Sequence, residues 1–525
     1  MANKSLFQST LARLLPEADT VNEARGIAYK LSPKQMLAQY AATGCLNSTF
    51  YASAEDQLKI VIDLASAVEP EFVAKVALYT RSKSHMKDMP ALLVAVLSVV
   101  SPGLMAEVFD RVIDSPKMLR NFVQIMRSGA VARKSLGTLP KRLVLQWLET
   151  RTDEQLFRAS VGNDPSLADI IKMVHPKPLT ASRAALYGYI LGKPHNVEDL
   201  PELVKQYEAF KANPSMFTSS DMPDVPMDML TGLALEKRHW MALARKASWQ
   251  QLRMNLNTFT RHDAFKDGSI VPQLAAKLRS PVEVANARVF PYQLMAAYAN
   301  TGDDVPRGLR EALQDAMEVA VGNVPAIDGR VWVLPDVSGS MQSPVTGHRK
   351  GSTTKVRCID VAALVSAAVL RKNPQARVLP FSDDVLKADL NPRDSVMTNA
   401  QRLASLPSGG TNCSAPLAWL NRHNEKADLV IFVSDNESWV DSKGFSGLSR
   451  STATMDEWAK FKRRNPAAKL VCLDIQPHGS TQAHESSDIL NIGGFADSVF
   501  SVIAAFHSNT LGPNHWVGVI EQETI

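Results

Sequence analysis

The sequence predicts an α-helical repeat module followed by an α/β doubly wound domain. Three observations carry that reading. Capping-box patterns open apolar-periodic runs at Ser53–Asp56, Thr152–Gln155 and Ser248–Gln251, all within the first 320 or so residues. Beyond Val324 the pattern changes to strand-like runs alternating with helical ones, which means a parallel sheet covered on both faces. Finally, Asp336-Val-Ser-Gly-Ser340 directly follows the first of those strands, where open α/β sheets place their ligand sites.

In the first part Val73, Val76, Ala77 and Thr80 follow helical spacing, and β-branched alternation is nearly absent. Helix pairs recur on a scale of roughly 35–45 residues, as in stacked helical solenoids. The segment Pro214–Pro226 reads as a loop between units. In the second part, strands are expected over Arg330–Leu334, Ala376–Phe381, Asp428–Ser434 and Ala468–Ile475. Helices are expected near Val356–Arg371, Ser414–Asn421, Met455–Arg464 and Asp497–Phe506. The change of class places a boundary close to residue 325, dividing the chain into 1–325 and 326–525.

A chain of 525 residues exceeds one core, so more than one domain is expected. The longest apolar run, Ala91–Val100, is far too short to span a bilayer, and the first residues lack the apolar core of a secretory signal. Four scattered cysteines (Cys45, Cys358, Cys413, Cys472) show no paired spacing, which fits a reducing cytoplasm and argues against a zinc site or disulfide framework. The net charge of +5 is mild, but it is unevenly distributed. Between Arg111 and Arg142 eight basic residues face only Asp114, and between Lys237 and Arg288 ten face three acids. That points to a polyanionic partner, with ordinary solvated helix faces as the alternative.

The chemistry lies at the strand ends. Asp336, Ser338 and Ser340 follow one strand, Thr411 sits in the Gly-rich turn Ser408–Asn412, and Asp435 ends another strand. Hydroxyls and carboxylates from separate strand-end loops make an all-oxygen set, which suits a hard divalent cation, Mg2+ being the expected one. Ser338 and Ser340 would ligate directly, Thr411 directly or through water, and the two aspartates directly or through outer contacts. Such ligation leaves the metal open to an acidic protein ligand, which is binding chemistry. Asp435, Glu437 and Asp383-Asp384 raise a two-metal nuclease as a rival, but no His or Lys stands nearby in sequence as a base. No phosphate-binding loop of the Gly-x-x-x-x-Gly-Lys-Ser/Thr kind is present. The loop Gln342–Lys355 carries His348, Arg349 and Lys350, and reads as partner contact or solvated filler.

Several stretches carry a resemblance: His175-Pro-Lys-Pro178, Asn286-Ala-Arg-Val-Phe-Pro291, Asp336-Val-Ser-Gly-Ser-Met341, Gly409-Gly-Thr-Asn-Cys-Ser414 and Phe432-Val-Ser-Asp-Asn-Glu437. Over nearly its full length the chain resembles the Ro autoantigen family, including its bacterial orthologues: a TROVE module of HEAT-like helices and a von Willebrand factor A domain. The resemblance implies a monomeric ring of helical repeats closed by the A domain. It further implies binding of single-stranded RNA 3′ ends in the hole, and of structured noncoding RNA, including small Y RNAs, on the basic outer surface. The implied role is noncatalytic, in cytoplasmic RNA quality control and stress survival, with a 3′ exoribonuclease as a partner in bacterial members. Carried over by position, the metal ligands are Asp336, Ser338, Ser340, Thr411 and Asp435, and the Y RNA contacts are His175 and Lys177. Further RNA contacts are expected at Arg127, Arg133, Lys134, Lys141, Arg142 and Arg261. In animal members a strongly basic loop precedes the His-x-Lys-Pro turn; here Val161-Gly-Asn-Asp-Pro165 stands there, with only Arg158 nearby. The alternative reading is a metal-dependent protein-interaction scaffold without RNA.

Overall fold

The computed structural model describes residues 15–525 except 45, 49–51, 290, 346–355, 436, 439–450 and 477. Most of the loop Gln342–Lys355, with His348, Arg349 and Lys350, therefore lies outside the described residues, as does Cys45. The chain packs as two compact units. The first gathers the described residues of 1–89, 290–296 and 317–524; the second comprises 90–289 and 297–316. By packing, then, the described residues up to Met89 belong with the sheet domain rather than with the helices that follow them.

The opening of the chain departs from the all-helical expectation. Strands β1 (Thr20–Val21) and β2 (Ile27–Lys30) form a short hairpin before helices α1 (Pro33–Thr43), α2 (Ala54–Ala67) and α3 (Pro70–Ser82). Strand β2 is held by a partner more than 400 residues away, which no local pattern signals. The later strands are β3 (Val331–Pro335), β4 (Arg377–Val378), β5 (Leu429–Ser434), β6 (Lys469–Asp474), β7 (Ser480–Thr481) and β8 (Ile489–Gly493). Five of them make a parallel sheet in the order β4-β3-β5-β6-β8. The other three pair antiparallel as β1-β2-β7, with Tyr29 opposite Thr481. The N-terminal hairpin thus completes a small sheet whose third strand comes from the C-terminal domain.

Strands β3, β5, β6 and β8 are buried along their whole lengths, as a parallel sheet with both faces covered requires. On one face Trp332, Leu334, Val430, Phe432, Leu470 and Cys472 pack with the helices Ala415–Arg422 and Ala453–Arg464. The opposite face meets the helix Cys358–Lys372, twelve of whose residues are buried. Tyr29 joins the first of these cores at 1% exposure, and its hydroxyl donates to the Pro16 carbonyl at 3.0 Å.

The second unit is helical throughout its regular elements. It opens with α4 (Asp88–Val100), α5 (Pro102–Val112), α6 (Pro116–Ser128), α7 (Thr138–Glu149), α8 (Asp153–Ala159) and α9 (Leu167–Val174). Ser115 caps α6, and capping boxes at Thr152 and Ser166 open α8 and α9. Buried indoles tie helix to helix: Trp147 donates to the Ile113 carbonyl at 2.8 Å and Trp249 to that of Leu278 at 3.0 Å. Each thereby satisfies a carbonyl at the end of a neighbouring helix while burying a large apolar ring. No helix among the described residues is long and apolar enough to cross a membrane.

Candidate metal site and basic interface

The expected metal residues come together at the carboxyl ends of β3 and β5. The Asp336 amide donates to Val433, extending the β3–β5 pairing by one step, and the Val337 amide donates to Phe381. Asp336 then turns inward, fully buried; its Oδ1 accepts the Ser338 amide at 2.8 Å and its Oδ2 accepts the Ser434 hydroxyl at 2.6 Å. The Ser338 and Ser340 hydroxyls lie 3.3 Å apart, and Ser340 hydrogen-bonds the fully buried Asp435. A backbone bond of 2.8 Å from the Gly339 amide to the Gly409 carbonyl fastens this loop to the turn that carries the buried Thr411. That turn is braced from the end of β4, where Asp383 accepts the Gly410 amide at 2.8 Å.

Electrostatics set this cluster apart from an ordinary turn network. Burial pushes both the Asp336 and Asp435 carboxyls upward, and the Asp336 charge raises Asp435 further. No Lys or Arg among the described residues contributes to either shift. Among the described residues, one oxygen of Asp435, Oδ2, is buried without a hydrogen-bond partner. Two neighbouring buried carboxylates, one with an idle oxygen, are costly unless a cation joins them. No group of three or more His, Cys, Asp or Glu among the described residues is placed to hold a metal. The candidate set has only two carboxylates and otherwise hydroxyls, a donor set that fits a hard cation and no soft one.

Of the acids that raised the nuclease alternative, Asp383, Asp384 and Glu437 each make other contacts. Asp383 caps Gly410, and Asp384 accepts the Val385 amide at 2.8 Å. Glu437 is buried, accepting the Glu23 amide at 2.7 Å through Oε2 and facing His478 Nδ1 at 3.2 Å through Oε1. Burial pushes Glu437 up to about 9 and pulls His478 down to about 4, so this contact joins two neutral groups rather than forming a salt bridge.

Here the sequence reading missed residues that matter. Asn22 donates to the Ser438 carbonyl at 2.8 Å, while the Ser438 hydroxyl meets the Thr411 carbonyl and the Cys413 amide. Gln39 on α1 hydrogen-bonds the buried Asp474 at the end of β6. These links tie the N-terminal hairpin to the loops bearing Thr411 and Asp435, and α1 to the end of β6, and none has a local signature.

The basic residues predicted as RNA contacts separate into different roles. Arg127, Lys134, Lys141 and Arg142 line one cavity of about 660 Å³ between the end of α6 and the start of α7. Arg133 is set apart: it donates to the Ser98 carbonyl at 2.7 Å, closing the end of α4. Replacing Arg133 with Ala should lower stability by about 1–2 kcal/mol, because a buried carbonyl loses a charged donor; thermal denaturation measures this. His175 ends α9 in the left-handed conformation with φ 53°, so the helix-cap reading of this residue holds geometrically. It is exposed, as is Lys177. Arg261 is exposed in the last turn of the helix Trp249–Arg261, away from the lining of this cavity. Arg158 is held by Asp224 at 2.8 Å.

Fold and site define a class: a helical-repeat unit coupled to a von Willebrand factor A-type sheet domain with an oxygen-rich strand-end site. The Ro60 vWA domain model matches residues 330–507. The RNA-binding protein RO60 of Deinococcus radiodurans is 25% identical over 524 residues, covering 94% of this chain and 96% of that relative. The RNA-binding protein RO60 of Caenorhabditis elegans is 23% identical over 254 residues, covering 46% of this chain and 37% of its own. Among solved structures, that of the Deinococcus radiodurans RO (RSR) protein superposes with a TM-score of 0.61 at 21% identity, over 91% of this chain and all of the other. The chain is thus similar to RO60 proteins in sequence and shares the fold of the Deinococcus radiodurans RO protein.

Proposed function

We propose that this protein binds RNA without catalysing a reaction, taking single-stranded 3′ ends of misfolded or noncoding RNA and small Y RNAs. The observation that carries the reading is the cavity between α6 and α7: four cationic side chains converge there and no carboxylate lines it. Lys and Arg contacts to phosphates supply most of the affinity in such interfaces, and releasing counterions makes binding fall steeply with salt. The names of the relatives, RNA-binding protein RO60, agree with it. A cytoplasmic role in RNA quality control and stress survival, a monomeric ring that threads the RNA end, and cooperation with a 3′ exoribonuclease belong to the same proposal.

In this reading Asp336, Ser338, Ser340, Thr411 and Asp435 hold a divalent cation, Mg2+ by preference, with the idle Asp435 oxygen as its support. The cation would supply a positive charge able to accept a carboxylate from a protein partner. Of these residues, Asp336, Ser338 and Asp435 have no exposure to solvent.

Filter binding of a single-stranded RNA to the full chain over a salt series tests the proposal. Affinity should fall log-linearly, losing about 0.7–0.9 log units per log unit of salt for each phosphate contacted. Negligible RNA binding at low salt, with Mg2+-dependent capture of a protein that survives RNase, would instead favour the scaffold reading.

A further inference from the structure

We infer that the cavity between α6 and α7 is a subsite for one unpaired nucleotide, holding its phosphate on the cationic rim and its base on an apolar floor. This rests on the RNA reading above and adds to it a defined place and the side chains that would hold phosphate and base.

The rim differs from the rest of the basic surface in what its side chains are doing. Most neighbouring arginines are occupied: Arg120 donates to Val161, Arg133 to Ser98, Arg151 to Trp147, and Arg183 is bound to Asp153. Among the described residues, the side chains of Arg127, Lys134, Lys141 and Arg142 make no hydrogen bond or ion pair; Arg127 acts only at a distance, lowering Asp169. Four cations gathered around one concavity repel one another unless an anion joins them. Helix α7 opens on the same cavity with Gly137 as its N-cap, so no side chain caps its first turn. Gly137 takes a positive φ of 73°, and a side chain there would meet Arg133 at 2.9 Å. The amides at this end of α7 add to the pull on an anion.

The floor of the cavity is apolar. Leu136 is buried, and Leu145 and Met173 are half-buried, each presenting apolar surface to the cavity. An inorganic phosphate needs no such floor, while a base released from stacking does. The volume of about 660 Å³ falls within the usual range for small-ligand pockets, roughly 300–1,000 Å³. A paired base is engaged with its partner and neighbours and cannot enter, so the subsite selects unpaired strands. Met173 precedes His175 by two residues, so the His-x-Lys turn continues directly from the cavity wall.

The test uses the full chain with a short single-stranded RNA, the same strand in a perfect duplex, and polyglutamate as an acidic-peptide competitor. Lys141→Ala with Arg142→Ala should lower single-strand affinity about tenfold or more and reduce the salt slope by about two contacts. Leu145→Ala with Met173→Ala should lower single-strand affinity about three- to tenfold, with a smaller loss for the duplex and the salt slope retained. As a measurement independent of variant folding, 4-thiouridine-bearing RNA should cross-link to the peptide spanning 134–145 or to Met173. If wild-type protein binds RNA but the floor variant leaves the single-strand-to-duplex ratio unchanged, or cross-links map only elsewhere, the subsite is overturned while the RNA reading stands. Displacement of the RNA by polyglutamate at matched charge would overturn base recognition as well. Absence of RNA binding by the wild-type chain would overturn the RNA reading and the subsite together.

Discussion

A fragment beginning at residue 326 will be far less stable than one that also carries residues 15–89. Cutting there strips β2 from β7, removes Tyr29 from the sheet core and takes away α1, whose residues Leu37 to Thr43 are buried. Each fully buried apolar side chain exposed in this way costs about 1.5–3 kcal/mol. Polar losses add to that. Asp474 loses Gln39, Glu437 loses the Glu23 amide, and Trp516 loses the Tyr79 hydroxyl it meets at 3.2 Å. A buried polar group left without its partner costs about 1–3 kcal/mol. The sum is on the order of 5 kcal/mol or more, comparable with the whole stability of an ordinary domain. Urea denaturation of the two fragments decides the matter; equal midpoints would mean that the N-terminal segment is only an appendage.

Replacing Asp435 with Asn should abolish the response to divalent cation while leaving the metal-free protein no less stable. If the wild type holds Mg2+ at the strand ends as proposed, the cation stabilises the fold by about 2.7 kcal/mol when present at a hundredfold excess over its dissociation constant. That rise in melting temperature disappears in the variant. Without cation the sign reverses: Asp336 and Asp435 are both buried, and their mutual repulsion opposes folding. An amide at position 435 removes one of the two charges and keeps the shape, so the metal-free variant melts at or above the wild type. A wild-type-sized response to Mg2+ in the variant would place the cation elsewhere.

What was legible in the sequence follows from how far each signal reaches. Strands β3, β5 and β6 are continuous apolar runs because both faces are covered, and they fall inside the expected ranges to within a residue or two. Strand β8 went unread because Asn491 interrupts it; that side chain is buried and satisfied by Thr481 and Ala483, which no local pattern announces. The helices Val396–Ala404 and His515–Glu521 were also passed over. At the site, Asp336, Ser338, Ser340, Thr411 and Asp435 could be named because strand-end loops concentrate oxygen donors within a few residues. Ser434 looked like one more strand position, yet it donates to Asp336. Asn22 and Gln39 were out of reach, since their partners lie 416 and 435 residues away. The basic residues showed the opposite limit. Charge counting picked out the basic stretch but could not tell Arg133, spent on a helix end, from Arg127 and Arg142, which line the cavity.

The central claim, that this chain captures unpaired RNA, is tested most directly by comparing a structured RNA carrying a single-stranded 3′ tail with the same RNA lacking it. Both are titrated with the full chain over a salt series in the absence of other proteins. The account predicts a clear preference for the tailed RNA, weakening as salt rises. Equal binding of the two at every salt concentration, or none of either, would contradict it.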